Sequence, residues 1–482
     1  MATRESRAIE SFDELVRDSG ASGIARPRQD TGIASVAVDS RQASRGSLFV
    51  ALPGERTDGH EYLGQAAASG AAALLVSEAH ALRRRAELNA LAALYGLGIV
   101  SAPDTLAALQ GLARARMRRL TGVTRVGVTG SNGKTTTKEI IGGLISRAAP
   151  TAMNEGNLNS EIGLPLACFG VEPRHRYAVF EMGMNHAGEM DVLADIVRPD
   201  LALVMNIGTA HIGILGSQDA IAAEKKKIFA RFDGRQTGFL PEGERYRAFL
   251  SEGVRGTMIL FGPGSTPGYR GSESMGLGGT LIHWEGFRIR FPLFGPHNLA
   301  NALGAISVAR ELGVPNAEIR DGLEAVTPLF GRSQVIRGEV TVIADCYNAN
   351  PDSMDLALEF LESLPWEGRR IAVLGGMREL GDETGPAHSA LGMRLRGTGL
   401  DAVFLFGAEM EHAWISAGGA AGGRISWTTS MDTLAEQLRG RARPGDLVML
   451  KGSRGLELER LLPVMGSHGS RGGTAEDGGR RC

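Results

Sequence analysis

The 482-residue chain predicts an α/β protein of layered helices and mostly parallel sheets, in about three domains. Three observations carry this. Short β-branched or apolar runs recur at 125–128, 177–180, 201–205, 340–344, 371–374, 402–406 and 447–450. Most end in Gly, Asn or a charged residue and lead into a helical pattern, as strand–crossover–strand units do. One run enters a glycine-rich loop that opens a helix, Thr124-Arg-Val-Gly-Val-Thr-Gly-Ser-Asn-Gly-Lys-Thr-Thr-Thr137. In such sheets ligands lie beyond the carboxyl ends of the strands, so the residues just after each run are the candidates for chemistry.

Bulk properties exclude several classes. Hydrophobic and charged contents of 43% and 22% describe an ordinary soluble protein, and a net charge of −2 argues against a broad nucleic-acid-binding surface. Cys168, Cys346 and Cys482 are far apart, without metal or disulfide spacing, so a reducing, cytoplasmic compartment is expected. The first residues lack the apolar core of a signal peptide. The apolar stretch 88–100 is too short to span a bilayer, and no transmembrane segment is expected.

Along the chain, a helix-like segment covers 106–120, and a first break is expected near 115. Residues 255–295 are Gly-rich with short alternating runs, which predicts a small antiparallel insertion or edge. A second break is expected near Leu329-Phe-Gly-Arg332. The domains read as 1–115, 116–329 and 330–466, with a disordered Gly/Ser-rich tail at 467–482.

The loop carries the sharpest chemistry. Gly130 and Gly133 let backbone approach a polyphosphate, and the N–H groups of Ser131, Asn132 and the helix start face the anion. Lys134 adds a mobile cation, Thr135 a hydroxyl for Mg²⁺, and Thr136 a further hydroxyl. ATP is therefore the expected ligand. The standard spacing would place glycine at 128, where this chain has Val128. Glu181, after the 177–180 run, suits a metal-binding or water-positioning carboxylate, or an ordinary loop glutamate. His211 follows a strand-end turn and is either a ligand or a structural histidine. In the charge run Glu224-Lys-Lys-Lys227 one lysine enters the site, or the run is a solvated helix face. Asn298 and Asn301 open a helix and could read an adenine edge, or cap it. Asp345 could accept from ribose hydroxyls. Lys451 and Arg454 could place cations on a phosphate, or form a basic turn.

Taken together these pieces resemble the Mur ligases, which build the peptide stem of bacterial cell-wall precursors, over roughly residues 30–460. Four stretches bring the chain nearest to the branch that adds D-alanyl-D-alanine. They are Val38-Asp-Ser-Arg-Gln42 with Gly46-Ser-Leu-Phe-Val-Ala-Leu-Pro-Gly-Glu-Arg56 and Asp58-Gly-His60; Gly156-Asn-Leu-Asn-Ser-Glu-Ile-Gly-Leu-Pro165; Glu181-Met-Gly-Met-Asn-His-Ala-Gly-Glu189; and Tyr347-Asn-Ala-Asn-Pro-Asp-Ser353 with Gly375-Gly-Met-Arg-Glu-Leu-Gly381. The resemblance implies a small α/β UDP-binding domain, a central P-loop-type ATPase domain, and a C-terminal Rossmann-like domain that closes over ATP and helps bind the incoming amine. It implies UDP-N-acetylmuramoyl-tripeptide and D-alanyl-D-alanine as substrates, two Mg²⁺ ions and a monomer.

The resemblance also assigns residues. Ser40, Arg41, Asn157 and Asn159 match positions for the UDP substrate. Lys134 and Thr135 would hold phosphates and Mg²⁺, and Glu181 and His211 a second Mg²⁺. Lys225, 14 residues after His211, matches the position of a carbamylated lysine, whose new oxygens would serve as anionic ligands. Lys226 and Lys227 then fall on the solvated face. Asn298 and Asn301 would lie near adenine, Arg332 near the phosphates and Asp345 near the ribose. Asn348, Asn350, Lys451 and Arg454 would serve the amine and domain closure. The chain departs from the common pattern at several places: Gly213 stands where many relatives have Glu, Ser160 where a second Asn is common, and the Glu189 region and the loop at 375–381 also vary.

Rival readings weigh less. The diaminopimelate-adding ligase is expected to carry Asp-Asn-Pro-Arg, which is absent, and folylpolyglutamate synthases lack the first domain that Asp39-Ser-Arg41 suggests. A non-catalytic nucleotide-binding scaffold would have no use for Lys134, Glu181, His211 and Lys225 together. Cys346, beside Asp345, reads as a buried, inert thiol.

Overall fold

The computed structural model describes residues 7–54, 57–419 and 423–466; Glu55, Arg56 and the predicted tail lie outside them. The chain divides into two compact units. One comprises Met1–Ile207, Ala222–Pro267 and Ala300–Gly322, the other Gly208–Ile221, Gly268–Leu299 and Leu323–Cys482.

The first unit holds two sheets. Strands β1 (Ser22–Ala25), β2 (Ser35–Ala37), β3 (Ser47–Val50), β4 (Ala73–Ser77) and β5 (Gly98–Ala102) form a sheet of order β1-β5-β4-β3-β2, parallel except for β1. The apolar stretch 88–100 becomes the helix Arg85–Tyr95 and β5, and no helix among the described residues is long and apolar enough to cross a membrane. Helix α1 (Thr105–Arg119) is capped by Asp104, whose side chain accepts from Leu106 and Ala107 N–H. Its apolar stripe, Ala108, Leu109, Leu112, Ala113 and Met117, is buried, so the helix runs unbroken through residue 115.

The second sheet comprises β6 (Thr124–Thr129), β7 (Thr151–Met153), β8 (Tyr177–Glu181), β9 (Leu201–Val204), β10 (Thr237–Pro241) and β11 (Thr257–Phe261) in the order β11-β10-β9-β6-β8-β7, all parallel. Strand order reverses at β6, which lies between β8 and β9. The crevice beyond such a reversal is where open α/β sheets bind ligands. Helices α2 (Lys134–Ser146), α3 (Glu189–Val197), α4 (Gln218–Lys226) and α5 (Pro296–Glu311) follow in chain order.

In the second unit, β12 (Tyr269–Ser274), β13 (Thr280–Trp284) and β14 (Phe287–Phe291) form the expected antiparallel element. It is shorter than predicted, because 257–261 is instead the edge strand β11. The remaining strands are β15 (Gln334–Ile336), β16 (Thr341–Asp345), β17 (Arg370–Gly375), β18 (Ala402–Phe406), β19 (Ile425–Thr428) and β20 (Leu447–Lys451). Their order is β15-β16-β20-β17-β18-β19, parallel apart from β15. Apolar clusters cover both faces, Leu358, Leu374, Leu395 and Leu405 on one and Val342, Val373, Phe404 and Leu434 on the other. Strands buried on both faces read as continuous apolar runs, which is why 402–406 was legible. Helix α6 (Pro351–Ser363) follows β16.

Candidate active site

The phosphate loop leaves β6 at Thr129 and enters α2 through Gly133, whose φ is +80°. A Cβ there would lie 2.5 Å from Asn301 Oδ1, so the loop and Asn301 meet only because residue 133 has no side chain. Asn206, just after β9, clamps the loop. Its Oδ1 accepts from Asn132 N–H at 2.9 Å, its Nδ2 donates to Asn132 O at 3.0 Å, and its carbonyl accepts from Ser131 N–H at 3.0 Å. Lys134 folds back over the loop, Nζ donating to Gly130 O at 2.9 Å and Ser131 O at 3.2 Å. Thr135 is buried and Thr136 half-buried on the first turn of α2.

Glu181 is the last residue of β8, not the residue after it, and is 2% exposed. Its Oε1 accepts from Asn159 Nδ2 at 2.6 Å, while Oε2 is buried without a hydrogen-bond partner. Asn159, expected at the UDP substrate, is thus engaged with Glu181; Asn157 is exposed.

Lys225 is fully buried, and Nζ donates to Gly130 O at 3.0 Å. Burial, then the charge of Lys134, pushes its amine well below the usual lysine range, so the neutral form is favoured. The rest of the charge run separates. Glu224 is buried and accepts from Gly188 and Met190 N–H at 3.0 and 2.9 Å, capping the start of α3, and pairs with Lys227 Nζ at 2.6 Å. Lys226 lies over the Phe249 ring, 4.4 Å from its centroid. Lys226 and Lys227 are half-buried, so the expectation of a freely solvated face is corrected.

Further along the first unit, Ser40 is buried with its hydroxyl donating to Gln65 Oε1 at 3.0 Å. Arg41 is exposed and pairs with Asp39 at 2.7 Å.

In the second unit His211 has a φ of +65°. Its Nδ1 is 2.9 Å from Glu379 Oε2 but without hydrogen-bond geometry. Gly213 donates its N–H to Glu379 O at 3.2 Å, and a Cβ on Gly213 would lie 2.2 Å from Gly381 N. No side chain fits at 213, which explains why glutamate is absent there. Asp345 and Lys451 end the adjacent strands β16 and β20 in register and pair at 2.7 Å. Burial pushes the Asp345 carboxyl up, but the Lys451 ammonium, with smaller help from His297 and the Ser333 N–H, outweighs it and holds the group below the usual carboxylate range. Ser333 N–H also donates to Asp345 at 3.1 Å. Arg332 stacks on Tyr347, 4.0 Å from the ring centroid. Asn298 is buried and donates to Phe294 O at 2.9 Å. Asn350 is the N-cap of α6, in a capping box with Ser353, and Asn348 accepts from Ala349 N–H at 2.8 Å. Arg454 is ion-paired with Glu459. Cys346 is buried and its thiol is pushed up to about 12, chiefly by burial.

Three family models match the chain in sequence order. The Mur ligase family catalytic domain matches residues 32–116, the Mur ligase middle domain 128–309, and the Mur ligase glutamate ligase domain 331–454. The chain belongs to the Mur ligase family. Curated Mur ligases named UDP-N-acetylmuramoyl-tripeptide--D-alanyl-D-alanine ligase include that of Treponema pallidum, 38% identical over 94% of this chain and 98% of its own length, and that of Bacillus subtilis, 33% identical over 95% and 97%. Among solved Mur ligases, MurF from Acinetobacter baumannii superposes with a TM-score of 0.83 at 29% identity, covering 95% of this chain and 99% of that one. MurF from Thermotoga maritima, solved in complex with ADP, gives 0.76 at 27% identity over 89% and 96%.

The donors of this Mur ligase fit divalent cations whose coordination is completed by non-protein oxygens. Among the described residues no group of three His, Cys, Asp or Glu could hold a metal ion. Mg²⁺ characteristically takes one or two carboxylates together with substrate phosphates and water, and the buried, unpartnered Oε2 of Glu181 has the chemistry of such a ligand. Sequence reading missed Asn206, which clamps the loop, and Glu379 beside His211. Asn206 lay inside a strand-end turn and Glu379 inside a noted family stretch, so position alone marked them.

Proposed function

We propose that this chain is an ATP-dependent amide ligase that joins D-alanyl-D-alanine to UDP-N-acetylmuramoyl-tripeptide, forming the pentapeptide precursor of peptidoglycan. One observation carries the substrate assignment: the chain aligns with 98% of the length of the Treponema pallidum ligase of that name. The buried donors around Gly130 support the chemistry.

A carboxylate resists attack by an amine because of its negative charge. Transfer of the ATP γ-phosphoryl group to the tripeptide carboxylate gives an acyl phosphate and ADP. The free amine of the dipeptide adds to the acyl carbon, the tetrahedral intermediate expels inorganic phosphate, and the amine gives up a proton as the amide forms. The protein positions reactants and neutralises charge. In this reading Lys134 swings from its own loop carbonyls to the phosphates, and the N–H groups at the start of α2 hold them. Asn206 keeps the loop in shape. Bound Mg²⁺, which Glu181, Thr135, His211 and a carbamylated Lys225 would hold, would supply Lewis-acid stabilisation of the phosphoryl oxygens. Carbamylation joins the neutral Lys225 amine to CO₂ with loss of a proton, which turns a buried neutral amine into an anionic ligand. Asn298, Asn301, Arg332 and Asp345 are assigned to the nucleotide, Ser40, Arg41, Asn157 and Asn159 to the UDP substrate, and Asn348, Asn350, Lys451 and Arg454 to the amine side.

The test is ATP-dependent phosphate release with UDP-N-acetylmuramoyl-tripeptide, with and without D-alanyl-D-alanine, followed by product mass. Turnover only with the dipeptide, and a product heavier by one dehydrated dipeptide, is the expected result. Nucleotide binding without turnover would overturn it.

A further inference from the structure

Lys138 is a buried charge that the proposed chemistry leaves unused. It lies on α2, one turn beyond Lys134, at 1% exposure. Its Nζ donates to the carbonyl of Asn154 at 2.6 Å and lies 2.7 Å from Glu139 Oε1. A methionine of similar volume would fill this space without the cost of desolvating an ammonium, so what the lysine adds is its ion pair with the half-exposed Glu139 and its hydrogen bond to Asn154.

Asn154 directly follows β7. The β7–β8 pairing ends at Met153 opposite Val179, and the Asn154 side chain continues it. Oδ1 accepts from Glu181 N–H at 2.8 Å, and Nδ2 donates to Glu181 O at 3.1 Å and to Leu158 O at 2.8 Å. Five residues on, Asn159 holds Glu181 Oε1. The segment that Lys138 anchors therefore fixes both the backbone and one carboxylate oxygen of Glu181, and leaves Oε2 as its buried oxygen without a partner.

We propose that Lys138 and Asn154 are positioning residues that hold the free oxygen of Glu181 in place for a divalent cation. This rests on the reading of Glu181 as a metal-binding carboxylate. Mg²⁺ tolerates little departure from octahedral geometry, so a carboxylate on a slack strand end binds it poorly even when its chemistry is intact.

The experiment compares wild type with Lys138→Met, Lys138→Arg, Asn154→Ala and Glu181→Gln. Mn²⁺ affinity in the presence of ADP is read by electron paramagnetic resonance, alongside kcat, KM, Mg²⁺ activation and melting temperature. Lys138→Met and Asn154→Ala are expected to weaken Mn²⁺ by about 10–100-fold, the range typical of outer-shell partners. Their kcat falls at fixed Mg²⁺ and recovers as Mg²⁺ is raised, KM for the dipeptide stays unchanged, and Lys138→Arg regains part of the loss. Wild-type Mn²⁺ affinity in Asn154→Ala, or a kcat loss that follows melting temperature alone, overturns the proposal. Asn154→Ala keeps the carbonyl that accepts from Lys138, so it carries the test if Lys138→Met does not fold. If Glu181→Gln keeps wild-type Mn²⁺ affinity and turnover, the role of Glu181 itself is wrong and the proposal goes with it.

Discussion

At Lys225 two features select the chemistry. The amine is fully buried, with Gly130 O as its hydrogen-bond partner, and burial favours its neutral form. A neutral amine is the species that adds to CO₂, whereas an ammonium there would repel both Lys134 and a metal ion. Removing the amine leaves a buried space beside the phosphate loop with no anionic ligand. Lys225→Ala is expected to lose more than the about 10–100-fold typical of an outer-shell change. Added short carboxylates, which can occupy the vacated space, should restore part of the activity. Labelled bicarbonate should give a carbamate carbon signal by NMR in the wild type and none in the variant. Full activity of Lys225→Ala would end the carbamate reading. The sequence pointed to this residue only through family spacing, since three adjacent lysines look alike until the helix is seen to bury just one of them completely.

Elements carry two further predictions. The β6–loop–α2 unit depends on Gly133 at a φ of +80°. An alanine there costs about 1–2 kcal/mol of backbone strain, and its Cβ would press on the buried Asn301 amide. Gly133→Ala should weaken a non-hydrolysable ATP analogue by about tenfold or more in calorimetry. Gly143, in the same helix with open space where a Cβ would go, is the control: Gly143→Ala should leave affinity unchanged and add up to about 1 kcal/mol of stability. Equal losses in both would place the effect in the helix and not in the loop. The second prediction concerns Asp195 on α3, which pairs with Arg114 of α1 and with Arg198 and Arg231. Burial pushes its carboxyl up, but these arginines reverse that and hold it at about 2. A depressed carboxyl stabilises the fold above its unfolded value and loses that contribution as pH falls toward the folded one. Asp195→Asn should therefore lower urea stability on the order of 2 kcal/mol at pH 7, with the gap narrowing below about pH 4. A gap constant with pH would exclude the ion pairs as its source. Such elements differ in legibility for a physical reason. Strands buried on both faces, such as β18 and β20, are continuous apolar runs. Edge and short strands such as β1, β7 and β15 pair on one side or over few residues, and their sequences carry no comparable signal. Helix α1 misled the expectation of a break near 115 for the opposite reason, since its buried stripe continues past that residue.

At the scale of the whole molecule, the residues assigned to ATP are divided between the two compact units. Gly130 to Thr135, Glu181, Lys225 and Asn301 belong to one, and His211, Asn298, Arg332 and Asp345, with the amine-side Lys451, to the other. The sequence showed this set as a chain-order pattern but could not show pairing within it. Asp345 and Lys451, read separately as ribose and phosphate contacts, are neighbours on adjacent strands and share an ion pair. Before Lys451 can neutralise a phosphate, some of its attraction to Asp345 must be given up, and a polyphosphate carrying several negative charges is the kind of ligand that can compete for it. Phosphoryl transfer also needs water excluded from the acyl phosphate, which hydrolyses otherwise, and enzymes commonly achieve that by closing on bound substrates. Together these requirements predict a change of conformation that depends on ligands. Solution scattering of the wild type should shift to a smaller radius of gyration when an ATP analogue and both peptide substrates are added together. Lys451→Ala should shift less under the same conditions, while its scattering without ligands stays that of the wild type. Identical wild-type profiles with and without the full ligand set would overturn closure.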